Sequence, residues 1–415
     1  MLAISKDFAP PLKLVSPYFK IGVTFYLIAM ISLLTFSATF SYQEMAVAGW
    51  IHLFLLGFVM VIIFGAMAQL IPVVLEVGHA VVDLYYVILP LLGIGATIMV
   101  IGFWLQPSLL SYGGLLVLSS MIIFAIEAFA TLKKAEINTI TVKTVAVSNS
   151  YLLLGIITGF VIALGLSGAV VVDVENMLKA HLYAVLGGFV LLTIMGLSLT
   201  LIPMFSLAHG FDETPIKRGF NLVAIGVGIV FISAVIGVDL IQWLGYITTL
   251  IGVGFYIYQI YIIYKLTVRK ELDIWAKSMI FGFGSLILSM VLGIIYLLGG
   301  DKTLLHTSAW FFMLGFIGFL INGHLYKIVP FLVWFERFAP LVGKEKVPML
   351  HEMYPKAQAE MMFWYSSIGT VFGGIGLLFE NDFSFKAGAS LMMVGAIFLY
   401  LSMSKMLGYG QPSNL

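Results

Sequence analysis

The chain has 415 residues, 61% of them hydrophobic and 10% charged, with a mean hydropathy of +1.09. Soluble domains run at about 45–50% apolar and about 25% charged, so this composition belongs to an integral membrane protein with the lipid bilayer as its partner. A net charge of +1 gives no electrostatic case for nucleic acid, and the absence of cysteine removes disulfides, thiolate metal ligands and cysteine-held iron–sulfur clusters.

A spanning helix needs roughly 20 apolar residues. Twelve runs meet that length: 18–40, 46–77, 83–105, 108–132, 143–170, 178–208, 219–238, 241–264, 274–299, 304–334, 360–379 and 384–406. The first is too long and too poorly flanked for a cleaved signal peptide and reads as a retained span. Placing the N-terminus inside puts all of the 21 lysines and arginines except Lys179, Lys302 and Lys386 on the inner side, which the positive-inside rule favours. Both termini are then cytoplasmic in a prokaryotic inner membrane, and the even-numbered spans begin on the outer side.

Span 2 contains "GWIHLFLLGFVMVIIFGAMAQLIP", an apolar helix with His52 near its outer end. Its frame of Gly-Phe, a second Gly eight residues after the first, and Pro seven further on occurs three times. The copies are Gly57-Phe58, Gly65, Pro72; Gly188-Phe189, Gly196, Pro203; and Gly315-Phe316, Gly323, Pro330. They fall on spans 2, 6 and 10, so the pattern predicts three four-helix repeats, residues 1–139, 140–271 and 272–415. Four is even, so the repeats enter the membrane in the same sense and predict a pseudo-threefold axis along its normal. Glycine spacing that only lets helices approach closely explains one copy, not three at matching rank.

A histidine precedes each frame: His52, His181 and His306 lie 20, 22 and 24 residues before their prolines. At about 100° per residue, offsets of 20 and 24 share a face within about 40°, one turn apart. His181 points to another side of its helix, with Met177 four residues before it on one face, a pairing that suits copper in principle. His79 and His209 follow their prolines near Glu76, Asp83, Asp212 and Glu213, a pairing that can bind metal or shuttle protons and more often marks a solvated loop, the reading favoured here. His324 lies deeper, one turn from Lys327. A histidine at that depth is a functional candidate, as a second ligand or as part of a proton path; packing against a polar neighbour explains it equally well. Glu127 is the clearest intramembrane carboxylate. Gln69, Thr200 and Lys327, each three residues before proline, form a thin polar ring and no proton wire. Lys327 is expected to snorkel to the inner surface. The longest loop, "ERFAPLVGKEKVPMLHEMYPKAQAE", is inner and reads as interfacial or as a docking surface. No P-loop, dinucleotide-binding motif or HExxH is present.

Twelve spans in three arcs, inner termini, and histidines at the outer ends of spans 2, 6 and 10 resemble the central subunit of the heme–copper oxidase superfamily. Within it the closest look is to NnrS-like membrane proteins of the nitric oxide response. His52 matches the second-span heme ligand. At the partner position on span 10 this chain has Trp310, at the neighbouring ligand position Ser308, and the nearest imidazole is His306. His181 matches a sixth-span copper ligand, while span 7, "GFNLVAIGVGIVFISAVIGV", has no histidine. The resemblance therefore implies heme b, with His52, His306, His181 and Trp310 as cofactor-contacting residues and His324 as a further metal candidate. It leaves the dinuclear heme–copper centre without its ligands, and copper with His181 alone.

Two kinds of function remain. One is a heme-b membrane protein that transfers electrons or binds nitric oxide or another diatomic gas, without proton pumping, an oxidoreductase if it turns over at all; an electron donor and self-association are compatible with it. The other is a small-solute transporter, or a cofactor-free assembly or scaffold subunit. Familiar transporters use inverted or twofold repeats, which counts against the transporter.

Overall fold

The computed structural model describes residues 10–410. Among these it is helical with no strand, and twelve helices are long and apolar enough to cross a membrane. They are α1 (Leu12–Thr35), α2 (Met45–Leu75), α3 (Val82–Trp104), α4 (Pro107–Leu132), α5 (Ile140–Leu166) and α6 (Val174–Ser206), followed by α7 (Thr214–Ile236), α8 (Asp239–Lys265), α9 (Ile274–Leu297), α10 (Lys302–Arg337), α11 (Lys356–Leu378) and α12 (Asp382–Gly408). The chain is a multi-pass membrane protein. The described residues divide into two compact units, one of residue 10 with 67–270 and the other of residues 11–66 with 271–410.

The first span lies several residues earlier than its hydropathy suggests. Residues 36–44 do not extend α1, because their polar groups close turns instead. Phe40 N–H bonds Ser37 O, Ser41 N–H bonds Glu44 Oε1, and Ala38 N–H is taken by Asp382 Oδ1 at 3.0 Å. Phe40 therefore sits on a loop and not in a helix.

The glycine frame has a structural cause. In an α-helix eight residues sweep about 800°, leaving two such glycines about 80° apart around the axis. Each frame helix instead contains a π-helical segment that spans its Gly-Phe pair: Leu53–Met60 in α2, Tyr183–Leu191 in α6 and Phe311–Gly318 in α10. A π segment absorbs an extra residue without a matching advance, so eight residues turn about as far as seven do in an α-helix, about 700°, and the two glycines share a face within about 20°. The partners on the preceding helix are spaced by seven. Gly57 and Gly65 face Phe25 and Tyr18, Gly188 and Gly196 face Tyr151 and Thr144, and Gly315 and Gly323 face Ser285 and Ser278. A Cβ at any of the six would come within 2.7 Å of that neighbour. The frame is a contact surface for the helix before it.

A second arrangement also recurs three times. α3 packs on α4, α7 on α8 and α11 on α12 with glycine against backbone, since a Cβ at Gly113, Gly219 or Gly369 would lie within 3 Å of a carbonyl oxygen across the pair. Small residues that let helix backbones approach are how membrane helices gain packing energy where burial from water contributes nothing. α3 and α4 hold the segment that follows α2, and α11 holds the first turns of α10.

Candidate functional site

The N-terminal turns of α2 and α10 meet in the second unit around a small apolar cavity of about 70 Å³. Its floor is Leu33, Val47, Trp50, Trp310, Met313 and Leu377, and Phe36, Phe40, Tyr42, Ile51, His306 and Ala309 complete the lining. Both indoles are pinned. Trp50 Nε1–H donates to Ala29 O at 2.9 Å and its ring stacks on Phe54, while Trp310 Nε1–H donates to Thr370 O at 2.9 Å. Trp310 thus fills the place where the resemblance has an imidazole, with its ring pressed on Gly373 of α11. Ser308 is committed elsewhere, since it and Ser289 of α9 exchange hydroxyl-to-carbonyl bonds of 2.8 Å each.

His306 lines this cavity, packed between Phe40 and Tyr42 with ring centroids 5.5 Å away in both cases. Its Nε2 is buried without a hydrogen-bond partner. His52 follows Ile51 but does not itself line the cavity. Its Nδ1–H donates to Ala48 O, one turn back, at 2.7 Å. A backbone carbonyl on Nδ1 fixes the tautomer that carries its hydrogen on Nδ1 and its lone pair on Nε2, the tautomer a ligating imidazole uses. His181, in the other unit, is prepared in the same way by Gly155 O at 2.8 Å, and its ring lies flat on Gly159. His324 carries a third such bond, to Leu320 O at 2.7 Å, with its ring edge-on to Trp275.

The donor chemistry of His52 therefore fits an axial ligand to heme iron. The space beside His306, about 70 Å³, is small for the macrocycle, and the Phe40 and Tyr42 rings already pack against the imidazole. No group of three or more His, Cys, Asp or Glu side chains able to hold a metal ion occurs among the described residues.

Among the residues beyond the frame prolines, one departs from expectation. His209 is exposed, as expected, but His79 is not: its side chain is 2% exposed and bonds the fully buried Glu127 at 2.9 Å. It turns inward because Glu127, a carboxylate inside the apolar layer, requires a partner there. Lys327 reaches to the end of the neighbouring helix, where its ammonium bonds Asp273 Oδ2 at 2.5 Å and lies over the Trp275 ring. Asp273 also caps α9 through Ala276 N–H. In the loop before α7, Asp212 accepts from the hydroxyl and the N–H of Thr214. Those two bonds, the hydroxyl's first, hold its carboxyl below the ordinary range.

Comparison with protein-family models and with curated proteins finds no match for this chain.

Proposed function

We propose that the chain is a heme-b-binding membrane protein built as three like-oriented four-helix repeats, with His52 as the iron ligand. The observation that carries the heme reading is the Ala48 carbonyl on His52 Nδ1, which leaves Nε2 as the lone-pair nitrogen at the head of the most buried of the twelve helices. The repeat reading is supported by the three π segments and by the six glycine contacts at matching offsets.

A heme held here supplies a one-electron carrier, and at an open axial position a site for nitric oxide or another diatomic gas. The chain's own part is to fix the imidazole, through the Ala48 bond, and to keep the outer end dry with Trp50, Phe54 and Phe58. His181 is the second ligand candidate. His306, in this reading, is not the sixth ligand; it serves as the polar point of a small apolar cavity. Lysine and arginine placement supports cytoplasmic termini in a prokaryotic inner membrane. Proton pumping is not part of the proposal.

A small-solute transporter is the second reading. It draws on the same cavity, with its apolar walls and single unpartnered nitrogen.

The test is the pyridine hemochrome of protein purified in mild detergent after expression with heme supply. The proposal expects a b-type spectrum in the wild type and its loss in His52→Ala at unchanged yield. Protein that folds without bound heme would leave the transporter reading in its place.

A further inference from the structure

Four residues before Pro72, the carbonyl of Ala68 has no helical N–H to accept, because proline carries none. α2 ends at Leu75, Glu76 takes a positive φ of 55°, and the chain hooks back. The hook carries His79 onto that orphaned carbonyl, with Nε2 2.7 Å from Ala68 O. On the other side of the ring, Nδ1 lies 2.9 Å from Glu127 Oε1 of α4. Oε1 also accepts from Thr131 Oγ1 at 2.7 Å and from Ala80 N–H at 3.2 Å, and Lys134 Nζ closes the hook on His79 O at 3.1 Å. All these residues belong to one unit of the fold.

The hydrogens can be counted. A carbonyl only accepts, so Nε2 must carry a hydrogen. The Nδ1 to Oε1 contact needs one more, either on the imidazole or on the carboxyl. Two donors already point at Oε1 from Thr131 and Ala80, which favours an ionised carboxylate there and the hydrogen on Nδ1. Removing that hydrogen would leave one net negative charge in a place where the side chains are 2% and 0% exposed, a costly state in a low dielectric. Neutrality of the pair and satisfaction of both ring nitrogens require the same single proton. The second carboxylate oxygen, Oε2, is buried and accepts from nothing, so the site also holds an unused acceptor against which a proton can be exchanged.

We propose that His79 and Glu127 form a proton-binding site at the hook after α2, an imidazolium–carboxylate pair that holds one proton between Nδ1 and Oε1, with Oε2 as the oxygen through which it exchanges. It is independent of heme at His52, since none of its residues lies in the outer cavity. It also gives Pro72 a chemical role: the proline frees the carbonyl that holds the imidazole in place.

The experiment is nitrogen NMR of the full chain labelled with ¹⁵N-histidine in lipid nanodiscs, with His79 assigned by the loss of its signals in His79→Gln. A free imidazole is neutral about two pH units above its usual value near 6.5. At that pH the proposal expects His79 to show two protonated ring nitrogens, both coupled to hydrogen. Glu127→Gln keeps the shape and removes the charge, so one of the two N–H couplings is expected to vanish while the other six histidines are unchanged. The unchanged six report that the fold is intact. A single protonated nitrogen on wild-type His79 at that pH would overturn the proposal, as would two that persist in Glu127→Gln.

Discussion

Replacing Gly315 by alanine tests the packing that the repeated frame imposes. A methyl there would lie 2.6 Å from Ser285 Cβ on α9. Carbon atoms in contact prefer about 3.5–4.0 Å, so α9 and α10 must part by about 1 Å at this point. Alanine for a helical glycine gains about 1 kcal/mol of helix propensity. Against that, overpacking costs about 1–3 kcal/mol. The separation also stretches the paired 2.8 Å bonds between Ser289 and Ser308 two turns away, each contributing about 1 kcal/mol. The expected net effect is a destabilisation of about 2 kcal/mol. Gly254 of α8 is the control: nothing lies within 4 Å of a Cβ built there, so Gly254→Ala is expected to stabilise by up to about 1 kcal/mol. Reversible SDS-induced unfolding in mixed micelles, followed by tryptophan fluorescence, measures both. The packing account is wrong if Gly315→Ala is as stable as the wild type, or if the two variants shift together.

Deleting Ile317 converts the π segment of α10 into regular α-helix and keeps both frame glycines on one face, so this variant is expected to fold; deleting Leu325, beyond Gly323, turns the rest of α10 by about 100° and is expected to abolish folded yield, and equal yields would contradict the π account. Lys327→Met removes the ammonium from Asp273 Oδ2, on a side chain only 8% exposed, and is expected to cost up to about 3–5 kcal/mol, most of it recovered when Asp273→Asn is added; additive losses in the same unfolding assay would speak against a coupled pair. For Asp212, a folded-state value below the unfolded one means a contribution present above the ordinary aspartate range and lost as pH falls through the folded value. Carboxyl-carbon NMR should accordingly place its midpoint below that of aspartate in a peptide, and a midpoint at or above the peptide value would refute the Thr214 bonds as the cause.

The twelve spans were legible because run length and apolarity alone decide whether a helix can cross a bilayer, and the observed helices fall within a few residues of those runs except at α1. There hydropathy cannot tell a helical Phe40 from one on a loop whose amides are bonded to Ser37 and Asp382. The three frames were legible as recurrence but not as geometry. Their spacing of eight is out of phase with an α-helix, and that misfit was the available sign of the π segments. His79 was hidden because seven residues past a proline reads as solvent. Two facts in the sequence bore on it: Pro72 leaves Ala68 O unbonded, and Glu127 within an apolar run must find a donor. At the outer end the identities of His52, His306 and Trp310 were evident, but not the roles that distinguish them. His52 turns to a carbonyl of its own helix, whereas His306 is enclosed by Phe40 and Tyr42 of a loop far away in sequence, which only the fold reveals.

The most direct test of the heme assignment is the Soret absorbance of three proteins purified side by side: wild type, His52→Ala and His306→Ala. The account predicts a band in the wild type, its loss in His52→Ala, and its retention in His306→Ala. A band that survives without His52 and disappears without His306 would contradict it, as would a well-folded wild type that takes up no heme.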